Sequence, residues 1–303
     1  PRRPPSLFSA TRMRLLAVEH DLAEVGWDDP TLPLLWRYNQ HYFDDLNARG
    51  AAARRAWHLA LVAQWLEANP PGPGTAWAPY PTSLRIVNWV KWLLPAEAAG
   101  DPVLQAAIAS LAVQARWLMQ RLEWHLLGNH LFANAKALVF AGLFFEGPEA
   151  ERWLGTGLRI LEKELPEQIL ADGAQFERSP MYHALALEDV LDLVNLIQVR
   201  AAPDSAAAQL LPTLLGIAGR MLHWLRCLRH PQHIHSCHER NHDDQIRDGD
   251  DEHAMAQHPE RAEHVPRPGH GGVPRAALHG DDWRVPARPR PLRACGFLRM
   301  IVR

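Results

Sequence analysis

The sequence predicts an all-α protein, because apolar residues recur at helical spacing from residue 34 to residue 228 and the connections are short. Of the 303 residues, 47% are hydrophobic and 22% are charged, which is typical of a folded globular chain. No segment of this region alternates apolar and polar residues as a half-buried strand does. A helical bundle, an α-solenoid and an (α/α) toroid all fit, although the lack of a fixed-period repeat argues against a standard solenoid.

The elements follow from local signals in chain order. Residues 1–30 are rich in Pro and Arg and then acidic, which predicts an irregular lead-in. Trp57, Leu61 and Trp65 recur at helical spacing, and residues 70–81, with five prolines and two glycines, must form a loop. A helix capped by Thr82 or Ser83 should then run to residue 94. Further helices are predicted over residues 102–126, 134–145, 149–170, 182–199 and 210–228.

Charge and composition exclude several classes of protein. The net charge of −2 gives no overall attraction to nucleic acid or to an anionic membrane, so neither is expected as a partner. The longest apolar stretch, residues 137–145, is far below the ~20 residues that cross a bilayer, and membrane insertion is not expected. Three cysteines are too few for a disulfide framework, and the first residues lack the apolar core of a signal peptide. No cofactor is predicted.

The composition changes abruptly at Pro231. Nine of the 17 histidines and 11 of the 29 arginines fall in residues 231–303, without helical or strand periodicity. Three interpretations compete: a metal-binding segment, a disordered tail, and the product of a GC-rich gene translated out of frame. The metal ligands would be His235, Cys237, His238 and His242, but their spacing fits no tight zinc pattern. The out-of-frame interpretation is favoured, so residues 31–229 are expected to form the helical domain and residues 230–303 a tail of low order.

Four clusters combine aromatic and polar residues. They are LWRYNQHYFDD at 35–45, WAPYPTSLRIVNW at 77–89, WHLLGNHLFANA at 124–135 and DGAQFERSPMYH at 172–183. Arg85 and Trp89 are four residues apart and share a helix face, and an arginine there could bind a carboxylate or a sulfate. Each cluster also has a structural interpretation, such as an arginine paired with a structural acid, an Asn at a helix cap or a buried tyrosine.

Taken in this order, the clusters resemble the heparinase II/III-like polysaccharide lyases over about residues 28–229. The resemblance implies an incomplete (α/α) toroid of helix hairpins, followed here by the irregular tail. It also implies β-elimination on an anionic, uronic-acid-containing polysaccharide or oligosaccharide and a periplasmic location. By the resemblance, Asn129 would bind the uronate carboxylate and Tyr182 would act as base, acid or both. A second base, a histidine, comes from a C-terminal β-sandwich domain in the family and cannot be placed in this sequence.

The remaining cluster residues are predicted to bind the substrate around this pair. They are Tyr38, Asn39, His41, Tyr80, Arg85, Asn88, Trp89, His130, Glu177, Arg178 and His183. Asn129 and Tyr182 should open into one cleft, lined also by Arg85, Trp89, Tyr38 or Asn39. Two alternatives remain: a non-catalytic toroid that binds an envelope polysaccharide, and a glycoside hydrolase using Asp172 and Glu177 as paired carboxylates.

Overall fold

The chain forms a short β-hairpin and a series of helix pairs in a computed structural model that describes residues 3–95, 100–126 and 128–229. The hairpin strands are β1 (Arg12–Leu15) and β2 (Val18–Asp21), which pair antiparallel. The helices are α1 (Leu22–Val25), α2 (Leu34–Gln40), α3 (Arg55–Ala68), α4 (Pro79–Leu93), α5 (Pro102–Met119), α6 (Asn129–Phe144), α7 (Pro148–Gln168), α8 (Pro180–Arg200) and α9 (Ala206–Arg229). Three short 3-10 helices cover Asp44–Asn47, Ala51–Arg54 and Thr75–Trp77. The predicted helical class is confirmed, whereas the predictions for residues 230–303, including the zinc ligands, lie outside the described residues.

The longer helices pack in two layers. Helices α4, α6 and α8 lie side by side in one layer, with α6 in contact with both of its neighbours. Each is followed in the chain by a helix that packs against it, α5 against α4, α7 against α6 and α9 against α8. These are the predicted helix hairpins. The arrangement brings the N-termini of α6 and α8 close enough to border one cleft.

The observed helix boundaries differ from the predicted ones mainly where prolines begin the helices. Helices α4, α5, α7 and α8 each have a proline in the first turn, where its missing N–H costs nothing and its fixed φ favours the helix. Helix α4 therefore begins at Pro79 rather than after Thr82. Helix α6 begins at Asn129, five residues earlier than predicted, and α5 ends at Met119, seven residues earlier. Asn129 thus occupies the first helical position of α6.

The N-terminal segment is ordered, and the prediction of an irregular lead-in is wrong. Strands β1 and β2 are joined by a two-residue turn in which Leu16 and Ala17 have φ of 52° and 64°. Positive φ at both central residues defines the type I′ hairpin turn, which usually contains Asn-Gly. The sequence carries Leu-Ala instead, so the usual signal for a hairpin is absent.

Two glycines allow α6 and α7 to approach closely. A Cβ on Gly142 of α6 would lie 2.6 Å from the backbone nitrogen of Leu154, and one on Gly157 of α7 would lie 2.8 Å from the carbonyl oxygen of Ala135. Both distances are too short for an unchanged backbone. Helix α6 is buried along most of its length, so the pair of helices cannot separate at little cost.

Gly142→Ala is therefore expected to destabilise the protein by about 1–3 kcal/mol, the usual penalty of overpacking. Gly155→Ala is the matched control, because a Cβ on Gly155 of α7 would meet nothing within 4 Å. This control should stabilise the chain by up to about 1 kcal/mol through the higher helix propensity of alanine. Urea unfolding measures both changes. Equal effects of the two substitutions would show that close packing of α6 on α7 is not what Gly142 provides.

Asp45 joins the N-terminal segment to the helices. Its carboxylate accepts hydrogen bonds from the backbone nitrogens of Ser6 and Leu7, at 2.6 and 3.0 Å, and from the side chains of Arg54 and His58, both at 2.8 Å. Burial alone would raise the pKa of this carboxyl, but the hydrogen bonds outweigh burial and lower the pKa to about 2.

The Asp45 contribution to stability should depend on pH. Because the folded-state pKa lies below the unfolded value, the stabilisation is complete above about pH 4 and disappears as the pH falls toward 2. The shift corresponds to about 2 kcal/mol. Asp45→Asn should therefore destabilise the chain at pH 6 and flatten the decline of unfolding free energy between pH 4 and pH 2. An unchanged slope over that range would contradict this role of the carboxylate.

None of the helices in the described part of the chain is long and apolar enough to cross a membrane. The core is rich in aromatic side chains, and most tryptophans of this part are buried. Phe43, Trp65, Trp77, Trp89 and Trp117 form a connected group with ring centroids 5.3–6.2 Å apart. Most tryptophans of this part are therefore core residues, and Trp89 is one of them.

Candidate active site

A cleft of about 480 Å³ opens between the start of α6, the start of α8 and the segments that precede them. Its polar lining consists of the side chains of Asn129, His130 and Tyr182 and the carboxylate of Glu177. Leu126, Gly128 and Phe176 complete the lining. The structure thus brings Asn129 and Tyr182 to one cavity, as their proposed joint role requires. The part that each plays in chemistry stays a prediction.

Asn129 is directed by the turn that starts α6. Gly128, just before it, has φ of 90°, a conformation that L side chains rarely adopt. The side-chain amide of Asn129 donates a hydrogen bond of 3.5 Å to the hydroxyl oxygen of Tyr80 in the first turn of α4. Burial, reinforced by the charge of Asp189, raises the pKa of Tyr80 to about 12. Tyr80 therefore remains a neutral phenol beside Asn129 at any physiological pH.

His130 is held by a carboxylate. Its Nδ1 lies 3.0 Å from a carboxylate oxygen of Glu123, and its ring packs against Tyr80 with centroids 4.5 Å apart. The second carboxylate oxygen of Glu123 accepts a 3.0 Å hydrogen bond from the amide of Asn134, which also donates to the hydroxyl of Ser83 at 3.0 Å. With Nδ1–H directed to Glu123, Nε2 of His130 is the nitrogen left to accept or release a proton.

Tyr182 lies in the first turn of α8. Ser179 caps this helix, its hydroxyl accepting from the backbone nitrogen of Tyr182 at 3.5 Å, and Pro180 occupies the first turn. The Tyr182 side chain is half-buried and lines the cleft.

The segment before α8 forms the opposite wall of the cleft. Its turn is fixed by Asp172, whose carboxylate accepts from the backbone nitrogen of Ala174 at 2.8 Å. It is also fixed by Gly173, where an added Cβ would lie 2.6 Å from the backbone of Arg220 in α9. Phe176 and Glu177 follow this turn and lie close to Gly128 on the other wall. A Cβ added to Gly128 would lie 3.8 Å from Cζ of Phe176 and 3.8 Å from Oε1 of Glu177.

A buried ion network lies behind Tyr80. The ammonium group of Lys136 in α6 is 2.7 Å from both Asp189 and Asp192 of α8, and Lys91 of α4 lies 3.0 Å from Asp192. Burial would lower the pKa of Lys136, but the two carboxylates outweigh burial and raise it above its usual range. These pairs tie together the three helices that carry Tyr80, Asn129 and Tyr182.

Arg85 does not face the cleft, which corrects the prediction that it binds substrate. Its side chain is fully buried, and its guanidinium packs 4.1 Å from the ring of Trp65. It donates to Gln114 at 2.9 Å and to the carbonyl oxygen of Ala76 at 2.8 Å. Its described partners are neutral, so the alternative of a structural acid partner is also wrong. Trp89, equally buried, belongs to the aromatic core instead of a sugar-stacking surface.

His41 and His183 are buried and also serve the fold. His41 accepts from the indole of Trp65 at 3.1 Å and lies 3.1 Å from the hydroxyl of Thr75, and burial together with the charge of Arg85 lowers its pKa to about 3. His183 accepts from the backbone nitrogen of Gln175 at 3.2 Å. Burial lowers the pKa of His183 as well. Neither imidazole can reach a polymer, although His183 helps to fix the segment that carries Glu177.

The other predicted substrate ligands are divided between the cleft and the rest of the molecule. His130 and Glu177 line the cleft, and Tyr80 contacts the residues that do. Asn88 donates to the backbone oxygen of Tyr42 and to Asp44, both at 2.8 Å, and so supports the fold. The lining does not include three further residues, Tyr38, Asn39 and Arg178.

Sequence reasoning missed the residues that shape and support the cleft. Leu126 and Phe176 are 36% and 39% exposed, and nothing in a single sequence marks an apolar residue as exposed. The contacts of Glu123 with His130 and with Asn134 join a residue between α5 and α6 to the first two turns of α6. Within one helix a Glu-x6-His spacing would place the two side chains about two turns apart, too far to contact, so only the folded loop reveals this pair. The alternative of paired carboxylates is not supported, because Asp172 caps its turn and Glu177 is the one carboxylate in the lining of this cleft.

A known family profile and curated relatives match parts of this sequence. The profile described as the heparinase II/III N-terminus matches residues 47–219, more than half of the chain. A heparin-sulfate lyase from Pedobacter heparinus is 44% identical over 62 residues, which cover 20% of this chain and 9% of that protein. A heparin-sulfate lyase from Bacteroides thetaiotaomicron is 32% identical over 155 residues, which cover 48% of this chain and 21% of that protein. The chain therefore spans less than a quarter of the length of these curated relatives.

Solved structures show the same fold. A mutant of the heparan sulfate lyase HepC from Pedobacter heparinus superposes with a TM-score of 0.52 at 21% identity, covering 73% of this chain and 37% of that one. A heparinase III structure superposes with a TM-score of 0.50 at 22% identity, covering 70% of this chain and 33% of that one. At these identities the likeness concerns the fold alone. It agrees with the predicted toroid of helix hairpins.

Proposed function

Because the chain belongs to the heparinase II/III family, we propose that it provides the helical part of a polysaccharide lyase that cleaves a uronic-acid-containing polymer by β-elimination. The geometry of the cleft supports elimination as the reaction. The curated relatives are lyases, but this chain aligns with only a part of each.

The reaction places three demands on a protein. A base removes the proton at C5 of the uronate, the bond between C4 and the glycosidic oxygen breaks, and a C4=C5 double bond forms. The departing oxygen takes up a proton, so no water is consumed. The C5 proton is acidic enough only if the neighbouring carboxylate is neutralised by hydrogen-bond donors as charge develops on it. The site must therefore supply a donor group, a base and an acid around one ring.

The cleft residues match these demands. The Asn129 amide would donate to the carboxylate, and its orientation is set by Gly128 and by the hydroxyl of Tyr80. Tyr182, on the same cleft, would exchange the protons as base, acid or both. His130, held by Glu123, is a second titratable group within the lining and can share the proton transfer through Nε2. The observation that carries the proposal is the single cleft lined by Asn129, His130 and Tyr182.

The direct test is the ultraviolet absorbance of the unsaturated uronate product, followed on a panel of uronic-acid polysaccharides. Elimination produces this absorbance and hydrolysis does not, so product formation supports the lyase proposal. Binding of a polymer without any product would instead favour a non-catalytic carbohydrate-binding protein. The absence of both binding and product with every uronate polymer on the panel would overturn the proposal.

A further inference from the structure

Helix α9 carries a basic face that neither the core nor the cleft uses. The helix contains three arginines, Arg220, Arg226 and Arg229, and no aspartate or glutamate. Arg220, His223 and Arg226 are exposed, and their spacing of three residues places them along one side of the helix, about 4.5 Å apart along its axis. Because the whole chain has a net charge of −2, this concentration of positive charge is a local feature of α9.

The two exposed arginines are available to an external anion. Within the described part of the chain, neither Arg220 nor Arg226 makes an ion pair or a side-chain hydrogen bond. The helix dipole favours an arginine in the last turn, where Arg226 lies, but Arg220 lies more than two turns before the end of α9. In the turn that packs against Arg220, the carboxylate of Asp172 accepts from the backbone nitrogen of Ala174.

Two glycines keep the helix surface low beside these arginines. Gly216 and Gly219 are exposed on α9, and a Cβ added to Gly219 would meet nothing within 4 Å. A Cβ added to Gly216 would meet a guanidinium nitrogen of Arg220 at 3.7 Å, so this side chain extends along the helix. Glycine within a helix is less stable than alanine, and packing in the described residues does not require it at either position. The bare backbone allows an extended chain to lie close to the arginines.

This basic face lies next to the wall of the cleft. The backbone of Arg220 packs against Gly173, in the turn that begins the wall. Nε2 of His183 in α8 donates to the backbone oxygen of Met221 at 3.0 Å, and its ring stacks on Trp224 with centroids 4.4 Å apart. These contacts fix α9 to the segment that forms the wall. A polymer that extends from the cleft past this wall therefore comes to the arginines of α9.

The chemistry of the face selects an extended chain that carries several carboxylates or sulfates. A guanidinium can bind either group through two parallel hydrogen bonds. Arg220 and Arg226 are about 9 Å apart along the helix axis, so two anionic groups of one chain can be bound at once, whereas a small anion reaches only one arginine. A uronic-acid polysaccharide has this arrangement of charges.

We propose that Arg220, His223 and Arg226 form an anchoring site for an anionic polysaccharide, separate from the cleft in which elimination takes place. The identity of the polymer rests on the proposed function, whereas the site rests on the exposed charges of α9. A long chain can occupy the cleft and the anchoring site together, which raises its affinity over that of either site alone. A short oligosaccharide reaches one site at a time. The anchoring residues take no part in the proton transfers.

The test compares a long ligand with a short one. In a Tyr182→Phe background, calorimetry at fixed ionic strength measures the binding of heparan sulfate chains and of a tetrasaccharide prepared from them. Arg220→Gln/Arg226→Gln should lower the affinity for the long chains by about tenfold and change the affinity for the tetrasaccharide by less than about twofold. The tenfold loss should shrink as salt is added, because exposed charges are screened.

The matched control removes two positive charges from other helices. Arg55 and Arg152 are exposed on α3 and α7, and Arg55→Gln/Arg152→Gln should change the affinity for the long chains by less than about twofold. Equal losses in the two double variants would show a response to net charge alone and would overturn the anchoring site. A single-stranded oligonucleotide that binds more tightly than heparan sulfate, and does so through Arg220 and Arg226, would also overturn it.

The outcomes for the anchoring site and for the lyase proposal are separable. Elimination by a chain whose affinity does not depend on Arg220 and Arg226 would overturn the anchoring site and leave the lyase proposal intact. Binding of long chains that does depend on these arginines, without elimination of any uronate polymer, would overturn only the lyase proposal.

Discussion

Replacement of Tyr182 by phenylalanine is expected to lower the rate of unsaturated product formation by about 10²–10⁴-fold, the usual contribution of a positioned acid or base. The substitution removes one oxygen atom from a side chain that lines the cleft at the start of α8. The ring itself remains, so the packing and the shape of the cleft should be preserved. Binding of a uronate oligosaccharide should change by far less than the rate.

The matched control is Tyr42→Phe, which removes the same atom from a buried tyrosine outside the cleft lining. This variant should retain elimination activity within a few fold. Circular dichroism and the unfolding midpoint should be close to those of the parent chain in both variants. A Tyr182→Phe protein that keeps full activity would exclude Tyr182 from the proton transfers, and the base would then have to be sought at His130.

The second large effect is expected at Arg85. Arg85→Ala should destabilise the chain by about 3–5 kcal/mol, because it leaves a cavity between aromatic rings and removes the donors that satisfy buried oxygens. The affected oxygens are those of Gln114 and Ala76, and Trp65 loses the guanidinium that packs on its ring. Arg85→Lys should also be costly, since an ammonium group cannot reproduce the planar fork of donors.

Arg152→Ala provides the control. Arg152 lies on the surface of α7 with 65% of its side chain exposed, and its ion pair with Glu149 is 3.8 Å long. Loss of this side chain should therefore lower the unfolding free energy by less than about 1 kcal/mol. Urea unfolding measures both changes in unfolding free energy, with the same dependence of free energy on urea concentration used for every variant. An Arg85→Ala chain as stable as Arg152→Ala would mean that the buried guanidinium is not needed to hold α4 in the core.

Much of the fold could be read from the sequence, because helices depend on interactions within a few residues. The apolar periodicity located the main helices, and the prolines and Ser179 lie where the structure begins them. The structure places Asn129 and Tyr182 at two helix starts, which lie five and two residues before the predicted starts of those helices. The N-terminal hairpin was missed, because its turn uses Leu16 and Ala17 in conformations that the local sequence does not signal.

The sequence by itself therefore determined the helical class, the family motifs and the number and order of the long helices. Only the tertiary structure decided which helix faces pack into the core. Arg85 and Trp89 do share a face of α4, as their spacing predicts, but that face packs into the core and not against the cleft. The same holds for His130 and Glu123, which meet because a loop folds back. Spacing fixes neighbours within one helix, whereas the direction of a face depends on burial against elements distant in sequence.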